Sequence, residues 1–511
     1  MENNKNNIGH FPQMPICDDV LRAEVGNDFT LPEYKSEIRK ILSTKVKILP
    51  PKKYVGNNGT NLEGELIYKV LYVGADGDLY CATLSDKYRF DAAFHFDEHS
   101  LNSDELFINS FCECEGVSTH VLGPRKINLK CKLKCRLLVL SPSIYLPEYV
   151  GVHDSSCVEE RIYECDSLFT MHCESEPISL PDLIPIDPQI DNIRIIDTNS
   201  SVMISECSPV KDCIHVRGEV FFKILYCNDA QGDQPLCFLR RIPFSTTIAC
   251  DGATNTHDAC AHGIITDENV NIDDNSISIE LLLAIYADLQ MNDSIPYICD
   301  AFSTERVTEN EKDTLNVLTL VKAFCGNLTQ SESYLLSDLK IGSDTRIIYS
   351  NAKARIEAID LENGRTYLNG EICYQLLLFN DGEYTSYELS APLRYEIDVR
   401  SAPNKNTLDL LCAKAEVVSA RSRTDGERIF IDCELNFCVS VLGKDKIEFL
   451  SKATFSEKLQ KSVGAIRLCY PDKSDSLWDI AKRYGEPVEK IRTKNSISEG
   501  NDISKKRFLV I

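Results

Sequence analysis

Most of the chain alternates apolar and polar residues, which is the pattern of a β-strand with one buried face. Between Lys126 and Val139, one parity consists of aliphatic residues and cysteines, and the other consists mainly of lysines. A similar run begins at Ile429 and passes through Cys433. These runs predict a mainly β protein whose strands, roughly 5 to 14 residues long, are separated by turns.

One β-rich pattern is repeated three times. Its clearest mark is a Gly-Glu pair followed by a long apolar run, at Gly64, Gly218 and Gly370. A turn rich in Asn, Asp and Gly follows each run, which indicates a hairpin. Two other landmarks keep their order in every copy: Leu31, Leu180 and Leu336 before the glycine, and Ile127, Ile277 and Ile429 after it. We therefore predict three copies of one antiparallel unit, built as a small sandwich or an open barrel.

The repeated glycine is predicted to mark a bulge or a close approach of two backbones. The glutamate after it is predicted to be a structural ion pair or a solvated strand residue. The segments between the units share a Cys-Asp pair, at Cys165 and at Cys299, and a further pair begins at Cys17. These segments are therefore predicted to pack on the units as additional strands.

The landmarks divide the chain into units, linkers and a C-terminal module. The asparagine-rich N-terminal segment is expected to be a loosely ordered lead-in. The predicted boundaries are a lead-in over 1–28, a first unit over 29–146, a linker over 147–177, a second unit over 178–290, a linker over 291–333, a third unit over 334–450, and the module over 465–511.

The C-terminal module departs from the alternating pattern. A short alternating stretch from Ile466 to Tyr470 predicts a strand. Apolar residues at helical spacing from Leu477 to Tyr484 then predict an amphipathic helix.

The ends of the helices are marked by residues that favour capping. Ser474 or Asp475 is the predicted N-cap of the first helix, because a short side-chain oxygen accepts from exposed backbone N–H groups. Gly485 is its predicted C-cap, and Pro487 opens a second short helix. The apolar residues from Phe508 onward predict the last strand of a β-α-α-β module.

Composition and charge narrow the classes of partner. The chain has 43% hydrophobic and 26% charged residues, which is typical of globular domains. No apolar run is long enough to span a bilayer, and the polar N-terminal segment does not have the pattern of a secretory signal. The net charge is −23, which disfavours nucleic acid and anionic lipid as partners.

The 22 cysteines do not have the pattern of an exported disulfide framework. Cys131, Cys135 and Cys433 replace aliphatic residues on the apolar parity, where cysteine acts as a small hydrophobe. We therefore expect reduced thiols in a reducing compartment. Cys112 and Cys114 form the only tight pair, and no partner pair stands at zinc-site spacing, so no metal site is predicted.

The sequence contains no motif of a known catalytic class. A P-loop, a nucleophile elbow and a His-Glu-x-x-His helix are all missing. His95 and His99 are the closest histidine pair, and their segment has the pattern of a strand end that runs into a polar loop. We therefore predict no catalytic residue and no cofactor. A pair of carboxylates hidden in a cleft, as in a glycosidase, stays open at this point.

The sequence Asp-Ser-Leu-Trp-Asp-Ile-Ala over 475–481 resembles the signature of the LysM domain, and Asn495 continues the pattern. Ser474 departs from it, because the family usually has glycine there. The resemblance implies a shallow groove between the loop before the first helix and the loop after the second. In the family, this groove usually binds N-acetylglucosamine polymers such as peptidoglycan or chitin.

Three β units followed by a LysM-like module resemble the SipL/SpoVID-like spore-coat morphogenetic proteins, whose β units are SPOCS repeats. This resemblance implies a non-enzymatic scaffold in the mother-cell cytoplasm, at the forespore surface and spore coat. It also implies that the module binds the coat ATPase SpoIVA, and that other coat proteins bind elsewhere. The partner-binding residues we expect are Ile466, Asp475, Leu477, Trp478 and Tyr484.

Two readings of Trp478 and two other functions stay open. Trp478 lies off the centre of the apolar helix face, so it is either packing or a partly exposed anchor. The first alternative function is binding of peptidoglycan, which the missing export signal disfavours. The second is a cell-wall hydrolase, which would need paired acids in one unit that its two sister copies lack.

Overall fold

A computed structural model describes residues 13–56, 58–94, 106–142, 146–151, 155–185, 193–228, 235–273, 276–342, 344–399, 408–459, 467–472, 475–497, 503 and 507–511. Antiparallel strands dominate these residues, and two short α-helices lie near the C-terminus, which confirms the predicted fold class. Ile466, Ser474 and the histidine pair His95 and His99 lie outside the described residues. Within those ranges, no helix is long and apolar enough to cross a membrane.

The first unit consists of two antiparallel sheets that enclose one core. In one sheet the last strand lies between the first and the sixth, and in the other the fourth strand lies beside the second, third and fifth. On the last strand, the apolar parity from Ile127 to Val139 is fully buried, as predicted. The strands are β1 (Gln13–Thr30), β2 (Ile38–Ile48), β3 (Lys52–Gly56), β4 (Gly59–Gly74), β5 (Leu79–Ala93), β6 (Phe107–Gly123) and β7 (Lys126–Pro142).

The second unit repeats this arrangement after the short strand β8 (Glu148–Val150) and one 3₁₀ turn over Ser155–Cys157. Its strands are β9 (Val158–Glu174), β10 (Ile178–Pro185), β11 (Ile193–Val210), β12 (Cys213–Asn228), β13 (Leu236–Ala249), β14 (Asp258–Asp273) and β15 (Ser276–Ser303). β12 lies between β11 and β13, and β15 lies between β14 and the edge formed by β9 and β10.

The third unit has the same strand order as the other two. β18 lies between β17 and β19, and β21 lies between β16 and β20. β8 adds a short parallel strand to β21, so a segment that follows the first unit pairs with the third. The strands are β16 (Arg306–Leu335), β17 (Arg346–Glu362), β18 (Arg365–Asn380), β19 (Glu383–Ile397), β20 (Leu408–Thr424) and β21 (Arg428–Lys458).

The strands reach beyond the predicted unit boundaries. The predicted loose lead-in is wrong for its described part, because β1 begins at Gln13 and pairs with β7 along its length. The segments between the units do pack as strands, as predicted, since Tyr163 on β9 lies opposite Tyr297 on β15. The predicted strand length is too short for most strands, such as β1 with 18 residues and β7 with 17. The difference is largest for β15, β16 and β21, which have 28, 30 and 31 residues because each continues its ladder beyond the unit.

The repeated glycines sit where two strands approach closely, as predicted. A side chain at Gly218 would overlap the Met203 carbonyl oxygen, and one at Gly370 would overlap that of Arg355. In both cases the partner strand has a register shift directly beside the glycine. At Gly64 the ring of Tyr88 fills the space that a side chain would need. In the second and third units, the repeated glycine therefore lies opposite a β-bulge of the neighbouring strand.

Buried charges join neighbouring units. Lys45 of the first unit places its Nζ 2.9 Å from Asp197 of the second, and both side chains are largely buried. Lys69 and Lys223 occupy the same position after the repeated glycine. Lys69 donates to the Thr198 carbonyl of the second unit at 2.8 Å, and Lys223 donates to the Ser350 carbonyl of the third at 3.2 Å.

The first and third units also meet directly. Lys40 Nζ donates to the Tyr384 carbonyl at 3.1 Å, and Arg136 lies 2.9 Å from Asp409. A separate apolar cluster takes residues from all three units, including Leu71, Leu225 and Leu377. Each unit therefore contacts both others, and the triplicated part of the chain is one packed body.

One pair of cysteines corrects the expectation of reduced thiols. Cys325 on β16 and Cys438 on β21 lie directly opposite each other, with Cα atoms 4.2 Å apart, and form a disulfide. The other 20 cysteines are free. Alternation within a strand indicates which face of the sheet a cysteine lies on. Only the pairing of two distant strands brings Cys325 and Cys438 together.

Candidate functional site

The C-terminal module folds as the predicted β-α-α-β unit. Its elements are β22 (Leu468–Cys469), α1 (Leu477–Tyr484), α2 (Val488–Lys494) and β23 (Leu509–Val510), and β22 pairs with β23. Asn495 fixes the end of α2 to the last strand, since its side chain both accepts from Val510 N and donates to Val510 O at 2.7 Å. The asparagine of the sequence signature is therefore a structural clamp.

The N-cap of α1 is Ser476 and not Ser474 or Asp475. The Ser476 hydroxyl accepts from the backbone N–H of Asp479, whose carboxylate in turn accepts from Ser476 N at 2.9 Å. Asp475 is instead held by both terminal nitrogens of Arg483, at 2.9 and 3.2 Å, and this hydrogen bonding lowers the pKa of Asp475. Gly485 ends the helix in the left-handed conformation at φ 60°, as predicted.

Trp478 attaches the module to the β body. Its indole Nε1 donates to Asp300 Oδ2 at 2.7 Å, and Lys482, one turn further along α1, donates to Asp300 Oδ1 at 2.6 Å. Asp300 lies in the last residues of β15, far from the module in sequence. Burial tends to raise the pKa of Asp300, but the hydrogen bonds from Lys482 and Trp478 outweigh burial and lower it.

Apolar contacts complete this attachment. The ring of Phe302 meets Trp478 edge to face, with centroids 5.0 Å apart, and Phe302 is part of the module's own core. A side chain at Gly485 would come within 2.6 Å of Leu459, so the body also lies against the end of α1. The helix face that carries Trp478 is thus covered by the chain itself.

The structure places the predicted partner-binding residues in different environments. Leu477 is fully buried in the module core, and Trp478 is 7% exposed at the contact with Phe302. Asp475 is bound to Arg483, and Tyr484 is half-buried against the same core. Ile466 lies outside the described residues. Of the two interpretations of Trp478, the structure therefore supports a packing residue and not a partly exposed anchor.

A different surface of the module is apolar and exposed. Leu468, Tyr470 and Phe508 are 47%, 66% and 45% exposed, and the rings of Tyr470 and Phe508 lie 6.4 Å apart. Cys469, of the opposite parity, is buried. We call Leu468, Tyr470 and Phe508 the strand patch. The alternation of 466–470 was the sequence signal for it, but alternation alone does not say which parity faces outward.

A large cavity with charged groups in its walls lies between the three units. Its volume is about 1310 Å³, and its walls come from all three, with Lys53, Glu268 and Glu416 among the lining residues. Burial raises the pKa of Glu416 to about 7 and lowers that of Lys53. Glu268 is already bound to Lys69. The described lining thus mixes both signs of charge.

Comparison with family models gives matches for the second unit and for the C-terminal module. Residues 190–273, which contain β11 to β14, match the SPOCS domain of SipL, and residues 473–511 match the LysM domain. The two matches support the resemblance of the chain to SipL/SpoVID-like proteins. Comparison with curated proteins and with solved structures gives no match. SPOCS and LysM are non-catalytic families, and together they fit a sporulation protein associated with the coat.

Proposed function

We propose that this chain is a non-enzymatic scaffold of spore-coat assembly. In this proposal its LysM domain binds the coat ATPase SpoIVA, and the SPOCS body helps the coat to encase the forespore from the mother-cell cytoplasm. Other coat proteins bind the body. The proposal combines the two family matches with the resemblance of the whole layout to SipL/SpoVID-like proteins.

The observation that carries the proposal is the exposed strand patch on a LysM domain that the body holds in place. Two aromatic rings and a leucine are exposed on one small domain, and exposed aromatic clusters are typical of protein-binding surfaces. In the sequence, Ile466 has the same parity as Leu468 and Tyr470. We therefore include Ile466, one of the predicted partner-binding residues, in the proposed contact with SpoIVA. Trp478 then acts by fixing the domain on Asp300.

The body supports a scaffold in a second way. A largely buried ion pair between Lys45 and Asp197 joins the first unit to the second, and Lys223 of the second unit donates to the Ser350 carbonyl of the third. The outer strands of the units offer backbone edges to which a partner strand can pair. The described acidic groups of the cavity include Glu268, held by Lys69, and Asp288, whose Oδ1 lies 2.7 Å from His172 Nδ1. For Glu268 and Asp288, this pairing suits a structural role.

The test is a binding titration of the full chain with purified SpoIVA. Tyr470→Glu, Phe508→Glu and Ile466→Arg should each weaken binding about tenfold or more, because a charge would be buried at an apolar contact. Tyr54→Glu is the matched control, since Tyr54 is 51% exposed on β3 of the first unit. It should leave the affinity unchanged.

Circular dichroism and Trp478 fluorescence would establish that each variant is folded. Unchanged SpoIVA binding by all three folded LysM variants would contradict the assigned surface. Peptidoglycan is the second candidate ligand, because the LysM match itself favours it. Sedimentation of the full chain with purified peptidoglycan should leave the chain in the supernatant if the scaffold proposal holds.

A further inference from the structure

Four cysteines meet where the second and third units pack together. Cys260, Cys325, Cys412 and Cys438 form one cluster, and Cys260, Cys412 and Cys438 are buried. The sulfur atoms of Cys260, Cys325 and Cys438 all lie within 4.8 Å of one another. Elsewhere the described sulfurs that touch do so in pairs, such as Cys173 and Cys250 at 2.9 Å. Three sulfurs close together, with Cys412 packed beside them, are a different arrangement.

The strand registers explain how the cluster arises. Cys325 on β16 lies opposite Cys438 on β21, and Cys412 on β20 lies opposite Ser440, two residues further along β21. Because side chains of equal parity share a face, all three cysteines project from one face of this sheet. Cys260 reaches them from β14 of the second unit. The sulfurs of Cys325, Cys412 and Cys438 thus lie on one sheet of the third unit, and the sulfur of Cys260 belongs to a sheet of the second unit.

We infer that these four cysteines, when reduced, bind one zinc ion that ties the second unit to the third. A four-thiolate zinc site is tetrahedral with bonds of about 2.3 Å, so its sulfurs lie roughly 3.8 Å apart.

Formation of the zinc site from the disulfide form requires a reductant. The disulfide between Cys325 and Cys438 is first reduced by two molecules of a cellular thiol, which leave as one disulfide. Zn²⁺ then displaces four protons from the four thiols and forms a complex of net charge −2. The disulfide form and the zinc form exclude each other, because both use Cys325 and Cys438.

The sequence could not reveal this site. The four cysteines are spread over 260–438, and none of them forms a short Cys-x-x-Cys pair with another. Zinc sites are usually recognised from such short spacings. Here the ligand set depends on the pairing of three strands in one unit and on the packing of a second unit.

The test is the metal content of the full chain, reduced with a phosphine and handled without oxygen. After one equivalent of Zn²⁺ is added and unbound metal is removed, mass spectrometry of the elements should find about one zinc per chain. Cys260→Ser and Cys412→Ser should each reduce this to below about a tenth of the wild-type content. Cys250→Ser, which breaks a buried pair outside the cluster, should retain it.

A second readout needs no variant. Co²⁺ in place of Zn²⁺ should give the sulfur-to-metal charge-transfer absorption and the visible bands of a tetrahedral four-thiolate site. Two results would each overturn the inference. One is reduced wild-type protein that binds neither metal. The other is full zinc content in folded Cys260→Ser and Cys412→Ser variants.

Discussion

The attachment of the LysM domain to Asp300 gives the sharpest prediction about stability. Asp300→Ala removes the acceptor of both Trp478 and Lys482. A hydrogen bond to a charged group contributes about 1.5 to 3 kcal/mol. The Lys482 bond counts for less, roughly 0.5 to 1 kcal/mol, because its side chain is 35% exposed and solvent screens it. We therefore expect Asp300→Ala to weaken the attachment by about 2 to 4 kcal/mol.

The assay uses Trp478, the only tryptophan of the chain. Its emission reports the contact with Phe302, whereas far-ultraviolet circular dichroism reports the β body. For a small domain with a urea slope of about 1 to 2 kcal/mol per M, the midpoint of the Trp478 transition should move to lower urea by about 1 to 4 M. The circular dichroism transition should hardly move.

A matched control separates attachment from general loss of charge. Asp166 stands in the equivalent Cys-Asp pair on β9 and is exposed, so Asp166→Ala should leave both transitions in place. An unchanged Trp478 transition in Asp300→Ala would refute the reasoning. It would mean that the Asp300 contacts do not hold the LysM domain.

The same carboxylate predicts a pH dependence of the attachment. Its pKa is lowered in the folded protein, so its contribution is present above the unfolded value of about 3.9 and is lost as pH falls through the lower folded value. The difference in Trp478 midpoint between wild type and Asp300→Ala should therefore stay constant from pH 7 to about pH 5. It should shrink only below about pH 4.

Two further predictions concern the body. Gly370→Ala should destabilise the chain by about 2 kcal/mol or more, because the added carbon would overlap the Arg355 carbonyl oxygen. The control is Gly116→Ala, whose added carbon would meet nothing within 4 Å. It should change the urea midpoint little. Lys45→Met should cost about 3 to 5 kcal/mol, because it removes the cation that lies 2.9 Å from the buried Asp197 carboxylate. Most of that loss should return when Asp197→Leu is added, and equal midpoints for the single and double variants would contradict this.

The sequence was sufficient for features that depend on local pattern. The parity from Ile127 to Val139, the hairpins and the bulge at Gly370 all follow from side chains that alternate and from the space that glycine leaves. The βααβ module was predictable for the same reason, since its caps and helical spacing are local. The N-cap was misplaced because adjacent serine and aspartate residues offer equivalent oxygens, and only the bond from Asp479 distinguishes Ser476.

Features that depend on packing between distant segments could not be predicted. Trp478 is buried because it contacts Asp300 and Phe302, which lie at the end of β15 in the second unit. The strand patch was missed because alternation from Leu468 to Tyr470 does not say which parity the short helices cover. The cluster around Cys260 depends on the packing of two units whose cysteines share no spacing.

The most direct test of the scaffold is a titration of the full chain with purified SpoIVA in one series and N-acetylglucosamine oligomers in another. The proposal predicts saturable binding of SpoIVA that Tyr470→Glu weakens and no response to the oligomers. Saturable binding of the oligomers without any binding of SpoIVA would contradict it, and the chain would then be a glycan-binding LysM protein.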